Sequence, residues 1–223
     1  MKRIFSLLAL SLLLVSCDYL EALNPEPKMT FGIDINQAVT VTEEGGIISI
    51  PIESNGSWLA TAMGTSGVAF ISLITSKGEK GSSTLEFNVK PNLLTQNRYG
   101  TISLSCENKK GIQTYIIGIA QLGAEAFAMI LDWDEPVIPA EGGSLTMKVL
   151  TNCAWGFMAN DADVTVVEMK APSSLSMTDP DTYELTLAIA KNPGTEPRTF
   201  QLNFTDRMKG NTIIATYTFS QAG

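Results

Sequence analysis

The chain has 223 residues, 44% of them hydrophobic and 17% charged, with a formal net charge of −8 and no histidine. An acidic chain without a basic run lacks the electrostatic footprint of a nucleic-acid or anionic-headgroup binder. Without histidine it has no Ser-His-Asp or Cys-His nucleophile arrangement and no histidine-based zinc site.

In chain order, Lys2 and Arg3 form a short basic region, and Ile4 to Leu14 is an apolar run too short to span a bilayer as a stable helix. Small residues then precede Cys17, the layout of a secretory signal peptide over residues 1–16. The Leu14-Val15-Ser16-Cys17 ending resembles the bacterial lipobox. That resemblance implies that Cys17 is diacylated and becomes the first residue, two acyl chains being enough for durable anchoring. An ordinary cleaved signal with an incidental cysteine is the alternative. Removing 16 of the 223 residues leaves 207, and losing Lys2 and Arg3 moves the formal charge from −8 to −10. At ~100–200 residues per domain, this is one large domain or two small ones. Nothing further along approaches the ~18 apolar residues of a membrane span, so the lipid is the expected membrane anchor. Residues 17–29 read as lipidated cysteine and tether, with Pro25 and Pro27 favouring an extended chain.

The remainder is a duplication. Glu44-Gly45-Gly46 aligns on Glu141-Gly142-Gly143, and the match runs ungapped through Asn55/Asn152 to Trp58/Trp155. A second block lays Arg98–Gly123 on Arg198–Gly223, so the later copy holds three extra residues between its Trp and its Arg. Two copies of about a hundred residues are two domains, here 30–123 and 124–223, because solenoid periods run ~20–50. Each copy alternates with period two: Leu85, Phe87, Val89, then Tyr115, Ile117, Ile119 in the first. The second has Tyr183, Leu185, Leu187, Ile189, then Phe200, Leu202, Phe204 and Ala215, Tyr217, Phe219. That is the pattern of half-buried antiparallel strands, and "SKGEKGS", "ENKKG", "NPGTEP" and "RMKGN" supply the turns. Around seven short strands per copy predict two tandem all-β sandwiches of the immunoglobulin or fibronectin-III kind.

Gly-Gly before a strand, Asn-x-x-Trp after it, then Arg98 or Arg198 and a closing Gln121-Leu122-Gly123 or Gln221-Ala222-Gly223 resemble the BACON domain, in both copies. The copies differ at Gly100 against Phe200 and at Gly56 against Cys153. The resemblance implies an immunoglobulin-like fold, a Bacteroidetes lipoprotein setting in the cell envelope, at the outer membrane, and a carbohydrate-binding role. Asp18-Tyr19-Leu20-Glu21 lacks a dense acidic run after the cysteine of the kind that resembles a surface-export signal, which leaves the membrane face open.

Candidate chemistry is sparse. Acidic clusters at Asp132/Asp134/Glu135, Asp161/Asp163 and Asp179/Asp181 lack the spaced oxygen ligands of an EF-hand loop and read as solvated loop charge. No metal, cofactor or catalytic residue is expected. Cys106 and Cys153 have no repeated partner, and in a head-to-tail tandem their poles lie far beyond the ~7 Å Cα limit for bridging, which predicts free, mostly buried thiols. Trp58 and Trp155 recur with the framework and read as core, and Trp133 as first-strand packing. In an extended tandem the exposed tip of the second copy would hold Glu141–Gly143, Asn160, Asp161 and Asp163, and Asn192 with Glu196; loops on a rigid sandwich often carry binding. Two functional readings follow: a non-catalytic, membrane-anchored module for a glycan or mucin, or a structural spacer or adaptor for an envelope protein.

Overall fold

The computed structural model describes residues 25–64 and 68–223. The signal peptide over 1–16, the lipidation site Cys17 and the tether up to residue 24 lie outside the described residues. The chain forms two compact units. Strands β1 to β9 make the first, up to Pro91 and from Arg98 to Gln121; residues 92–97 and Leu122–Gly223 make the second.

The strands of the first unit are β1 (Met29–Phe31), β2 (Val39–Val41), β3 (Gly46–Ser54), β4 (Ser57–Gly64), β5 (Ile71–Leu73), β6 (Lys77–Gly78), β7 (Gly81–Val89), β8 (Arg98–Asn108) and β9 (Gly111–Gln121). They form two sheets in the orders β1-β3-β7-β5 and β2-β9-β8-β4-β6. The second unit repeats the plan with β10 (Ala128–Leu131), β11 (Val137–Ile138), β12 (Gly143–Thr151), β13 (Trp155–Ala159), β14 (Val164–Lys170), β15 (Asp181–Ile189), β16 (Arg198–Asp206) and β17 (Thr212–Gln221). Its sheets run β10-β12-β15-β14 and β11-β17-β16-β13. Both units are immunoglobulin-like sandwiches, so the chain is an all-β protein of two such units.

More strand segments appear than the seven per copy read from the pattern. The first strand of each sandwich splits: β1 pairs with β3, then the chain crosses and β2 runs parallel to β9. The second unit does the same with β10 on β12 and β11 parallel to β17. In the first unit a turn at 34–37, with Gln37 N donating to Asp34 O and Asn36 N to Asp34 Oδ1, lies at this crossing.

Alternation sets the cores. Along β3, Ile50 and Ile52 point inward while Ile47, Ser49, Pro51 and Glu53 point out. Along β8, Gly100, Ile102, Leu104 and Cys106 are buried at every second position. Leu85, Phe87, Ile117 and Ile119 complete the first core from the facing strands. In the second core Leu185, Leu187, Phe200, Leu202, Phe204 and Phe219 are at most 1% exposed. Each such side chain contributes about 1.5–3 kcal/mol through its removal from water.

Candidate functional site

The motifs repeated between the copies turn out to be locks. Gln121 is fully buried; its Nε2 donates to Thr42 O, Glu43 O and Lys90 O, and its Oε1 accepts from Arg98 Nε at 2.8 Å. Gln221 does the same with Pro139 O, Ala140 O, Ala190 O and Arg198 Nε. Each arginine lies over an aromatic ring, Arg98 over Phe70 and Arg198 over Phe200, and burial pulls the Arg98 guanidinium below its ordinary value. The glycine two places on is sterically required: a Cβ on Gly123 would overlap Thr95 O, and one on Gly223 would overlap Thr195 O. The first glycine of each Gly-Gly pair has positive φ, 69° at Gly45 and 85° at Gly142, and packs against the carbonyl ending β7 or β15.

Asn-x-x-Trp is also framework. The Asn55 amide accepts from Lys28 N and donates to Glu26 O; that of Asn152 accepts from Phe127 N and donates to Glu125 O. Each clamps the strand entering its sandwich. In the first unit the clamp, with Asn108 Nδ2 donating to Pro25 O and Pro27 buried, takes residues 25–28 out of the tether. Trp58 is 3% exposed with Nε1 bonded to Ser83 Oγ, and Trp155 is 5% exposed against the rings of Tyr183 and Phe204. Trp133 packs edge-on to Tyr217 from the loop just after β10 rather than from within a strand.

The loop residues singled out in the sequence fare differently from one another. Asn192 does not face a ligand: it is 6% exposed, and its Nδ2 donates to Glu196 O and Ala222 O while Oδ1 accepts from Gly194 N. Asn92 makes the equivalent bonds to Gln96 O and Leu122 O, so the buried amide closes this loop in both copies. Asp163 is half-exposed and pairs with Arg198 Nη1 at 2.7 Å, which commits its carboxylate to holding that arginine. Asp161 Oδ1 accepts from Asp163 N in a turn, and Asn160 Oδ1 accepts from Gln201 N. Glu196 is exposed, and its carbonyl is the part engaged. Arg198 and Asn192 thus draw these loops together as scaffold.

Neither thiol is bridged: Cys106 is fully buried and Cys153 half-buried, with burial pushing the Cys153 thiol up. Among the described residues no three acidic or cysteine side chains converge on a metal position.

What the pattern did not reveal is a surface. β8 lies between β4 and β9, and the register sets their outward side chains in rows: Met63–Thr101–Gly118, Thr61–Ser103–Ile116 and Leu59–Ser105–Thr114, with Tyr99 beside Ala120 beyond. These eleven positions carry no charge, where a surface about 25–35% charged would bring roughly three. Leu59, Met63, Tyr99 and Ile116 are each more than half exposed, and Tyr99 is the one exposed aromatic among the described residues. Rows two residues apart stand ~7 Å from one another, so the face extends roughly 20 Å along the strands. Glu107 and Lys77 mark its rim, beside Ser57 and Leu59. On the opposite sheet, Thr30, Phe31, Pro51, Glu53, Ser82 and Thr84 line an open hollow of about 510 Å³, where Ser82 already hydrogen-bonds the Glu53 carboxylate.

Residues 49–121, from within β3 to the end of β9, match the BACON family, described as "Putative binding domain, N-terminal". No curated protein matches the chain. Among solved structures, a Bacteroides ovatus GH5 xyloglucanase in complex with a XXXG heptasaccharide is 16% identical, with a TM-score of 0.37, over 50% of this chain and 21% of that one. The chain therefore spans about a fifth of that enzyme's length. The titin domains Z1Z2 in complex with telethonin are 14% identical over 86% of this chain and 93% of theirs, with a TM-score of 0.35. The class 5 fimbriae chaperone CfaA is 8% identical over 88% and 100%, also at 0.35. Likenesses this distant leave the fold assignment resting on strand order and register.

Proposed function

We propose that the protein is a non-catalytic lipoprotein of the cell envelope, held at the outer membrane through Cys17, whose first unit binds a neutral glycan on the outward face of β4, β8 and β9. The observation that carries this reading is the charge-free face around Tyr99, which lies wholly inside the segment similar to a binding-domain family. An aromatic ring and aliphatic side chains suit the apolar face of a pyranose, and interleaved serines and threonines suit its hydroxyls. An uncharged polymer has no ion to pair, so a face without charges avoids stranding one on binding. The absence of histidine from the sequence supports a non-catalytic role.

Affinity electrophoresis of the mature chain in gels containing neutral β-glucan, galactomannan, mucin or polygalacturonate tests the reading. Retardation in a neutral gel is expected, with none in polygalacturonate. Tyr99→Ala should weaken it about tenfold, the ~1.4 kcal/mol of one aromatic contact, and Met63→Asp should abolish it. Retardation lost in Glu53→Ala but kept in Tyr99→Ala would move the site to the hollow. Retention by no glycan gel would favour the spacer or adaptor reading, to which the single exposed aromatic of the face also lends support.

A further inference from the structure

The two sandwiches part company at one edge. In the first unit β5 is three residues long, after which the chain crosses to the other sheet: Ala60 N donates to Ser76 O at 2.7 Å, and Lys77–Gly78 pair with Leu59 and Trp58. That leaves a short edge. In the second unit β14 runs seven residues along β15, and residues 165–170 are all exposed, including Val166, Val167 and Met169 at 47%, 64% and 40%. Long apolar edges are what natural sandwiches otherwise shorten, charge or cover.

We propose that β14 pairs antiparallel with β14 of a second copy, about a two-fold axis at Met169, making the protein a homodimer through its second unit. The hydrogen-bond parity permits it. Ala190 N donates to Asp163 O, so the backbones of 163 and 165 face β15. The one-residue bulge between Val166 and Glu168 resets the alternation, so Glu168 and Lys170 face β15 and the N–H and C=O of Met169 point outward. Two Met169 residues then exchange both bonds across the axis.

Charge selects the register. An axis at Met169 sets Glu168 opposite Lys170 of the copy, twice, on the solvent face. An axis at Glu168 or Lys170 would oppose like charges, and one at Val167 would stack two bulges. Opposite-charge pairs stabilise cross-strand neighbours and like pairs do the reverse. A symmetric interface must be self-complementary in this way. The proposal does not depend on the glycan reading, which concerns the other unit.

The test uses the purified full chain. Light scattering should give twice the 24.0 kDa chain mass, falling with dilution. Glu168→Lys should raise the dimer dissociation constant at least tenfold, and the charge-swapped Glu168→Lys/Lys170→Glu chain should recover most of it. Lys170→Glu alone is less clean, because Lys170 lies opposite Glu184 in its own sheet. Met169→Cys should cross-link to a dimer under mild oxidation far faster than Val137→Cys, 70% exposed on β11. A wild-type chain monomeric at roughly 100 µM, a double variant no better than the single, or equal cross-linking at 137 and 169 each overturns the proposal.

Discussion

Gln121→Leu is nearly isosteric and removes four hydrogen bonds from a fully buried side chain, yet the cost is smaller than four bonds suggest. Thr42 O keeps Gly45 N at 3.1 Å, and Lys90 O keeps Arg98 Nη2 at 2.6 Å. Glu43 O and Arg98 Nε are the two groups left stranded. At ~1–3 kcal/mol for each unpaired polar group, offset in part by leucine's apolar surface, the first unit should lose about 2–4 kcal/mol. Gln221→Leu should cost less, about 1–2 kcal/mol. There Pro139 O keeps Gly142 N, Ala140 O keeps Asn192 N, and Arg198 keeps Asp163, so Arg198 Nε alone is stranded. Native-state hydrogen exchange read on peptides of β8–β9 and of β16–β17 assigns each loss to its unit. Urea titration should show midpoint shifts of about 1–2 M for the larger loss. Gln121→Glu sharpens the logic: a carboxylate still accepts from Arg98 but cannot donate to the carbonyls, so it should be at least as damaging as leucine. Tolerance of Gln121→Glu, or a larger loss at 221 than at 121, would refute the lock as described.

Two further outcomes follow from burial. Trp155→Ala should cost about 3–5 kcal/mol, as large core truncations do, and should appear as early unfolding of β12–β17 peptides while β3–β9 peptides keep their exchange protection. In alkylation with iodoacetamide Cys153 should react more slowly than an unstructured thiol near pH 8, and Cys106 only on unfolding, as mass spectrometry of each peptide would show. The sign of the pH dependence is fixed by the raised Cys153 value. Its share of stability is fully present below the ordinary thiol pKa near ~8.5 and is lost as pH climbs through the raised value. Cys153→Ser should flatten that part of an alkaline stability profile.

Features governed by recurrence and alternation were legible in the sequence. Trp58, Trp155, the Gly-Gly turns and the Gln-x-Gly endings recur, and a residue kept through a duplication that changes most surface positions is doing something both folds require. The ligand-facing expectation for Asn192 fails because a repeat block that begins at Arg98 leaves this residue outside the recurrence. Carried back six residues, the same register lays Asn92 on Asn192 and Thr95 on Thr195, and recurrence then marks the loop as framework. The charge-free face was hidden for a different reason. Period two reveals which side chains point outward from β4, β8 and β9, but the neighbourhood of β4 and β8 depends on pairing across some forty residues of intervening chain. Likewise the three extra residues of the second copy were visible. Their consequence, an edge strand that stays with β15 instead of crossing to the other sheet, was not.

The divergence between the copies supports the placement of function outside the motifs. Where Cys106 packs in the first unit, the register puts Asp206 in the second, 1% exposed, with Oδ1 accepting from Met208 N and Oδ2 without a hydrogen-bond partner among the described residues. A buried carboxylate oxygen left so is costly. What it holds is the 3₁₀ turn Arg207–Lys209, closed by Gly210 in the left-handed region; the first unit joins β8 to β9 by the two-residue turn Lys109–Lys110. The longer connection thus needs a cap that the tight hairpin does without. Each change of this kind adjusts an end or an outer surface and leaves Trp, Arg, Gln and the inward alternation intact. A face on which one copy shows Leu59, Tyr99 and Ile116 where the repeat sets Gly156, Thr199 and Thr216 in the other, and an edge that the second copy leaves long, are therefore the places where the two units could acquire different partners without either losing its fold.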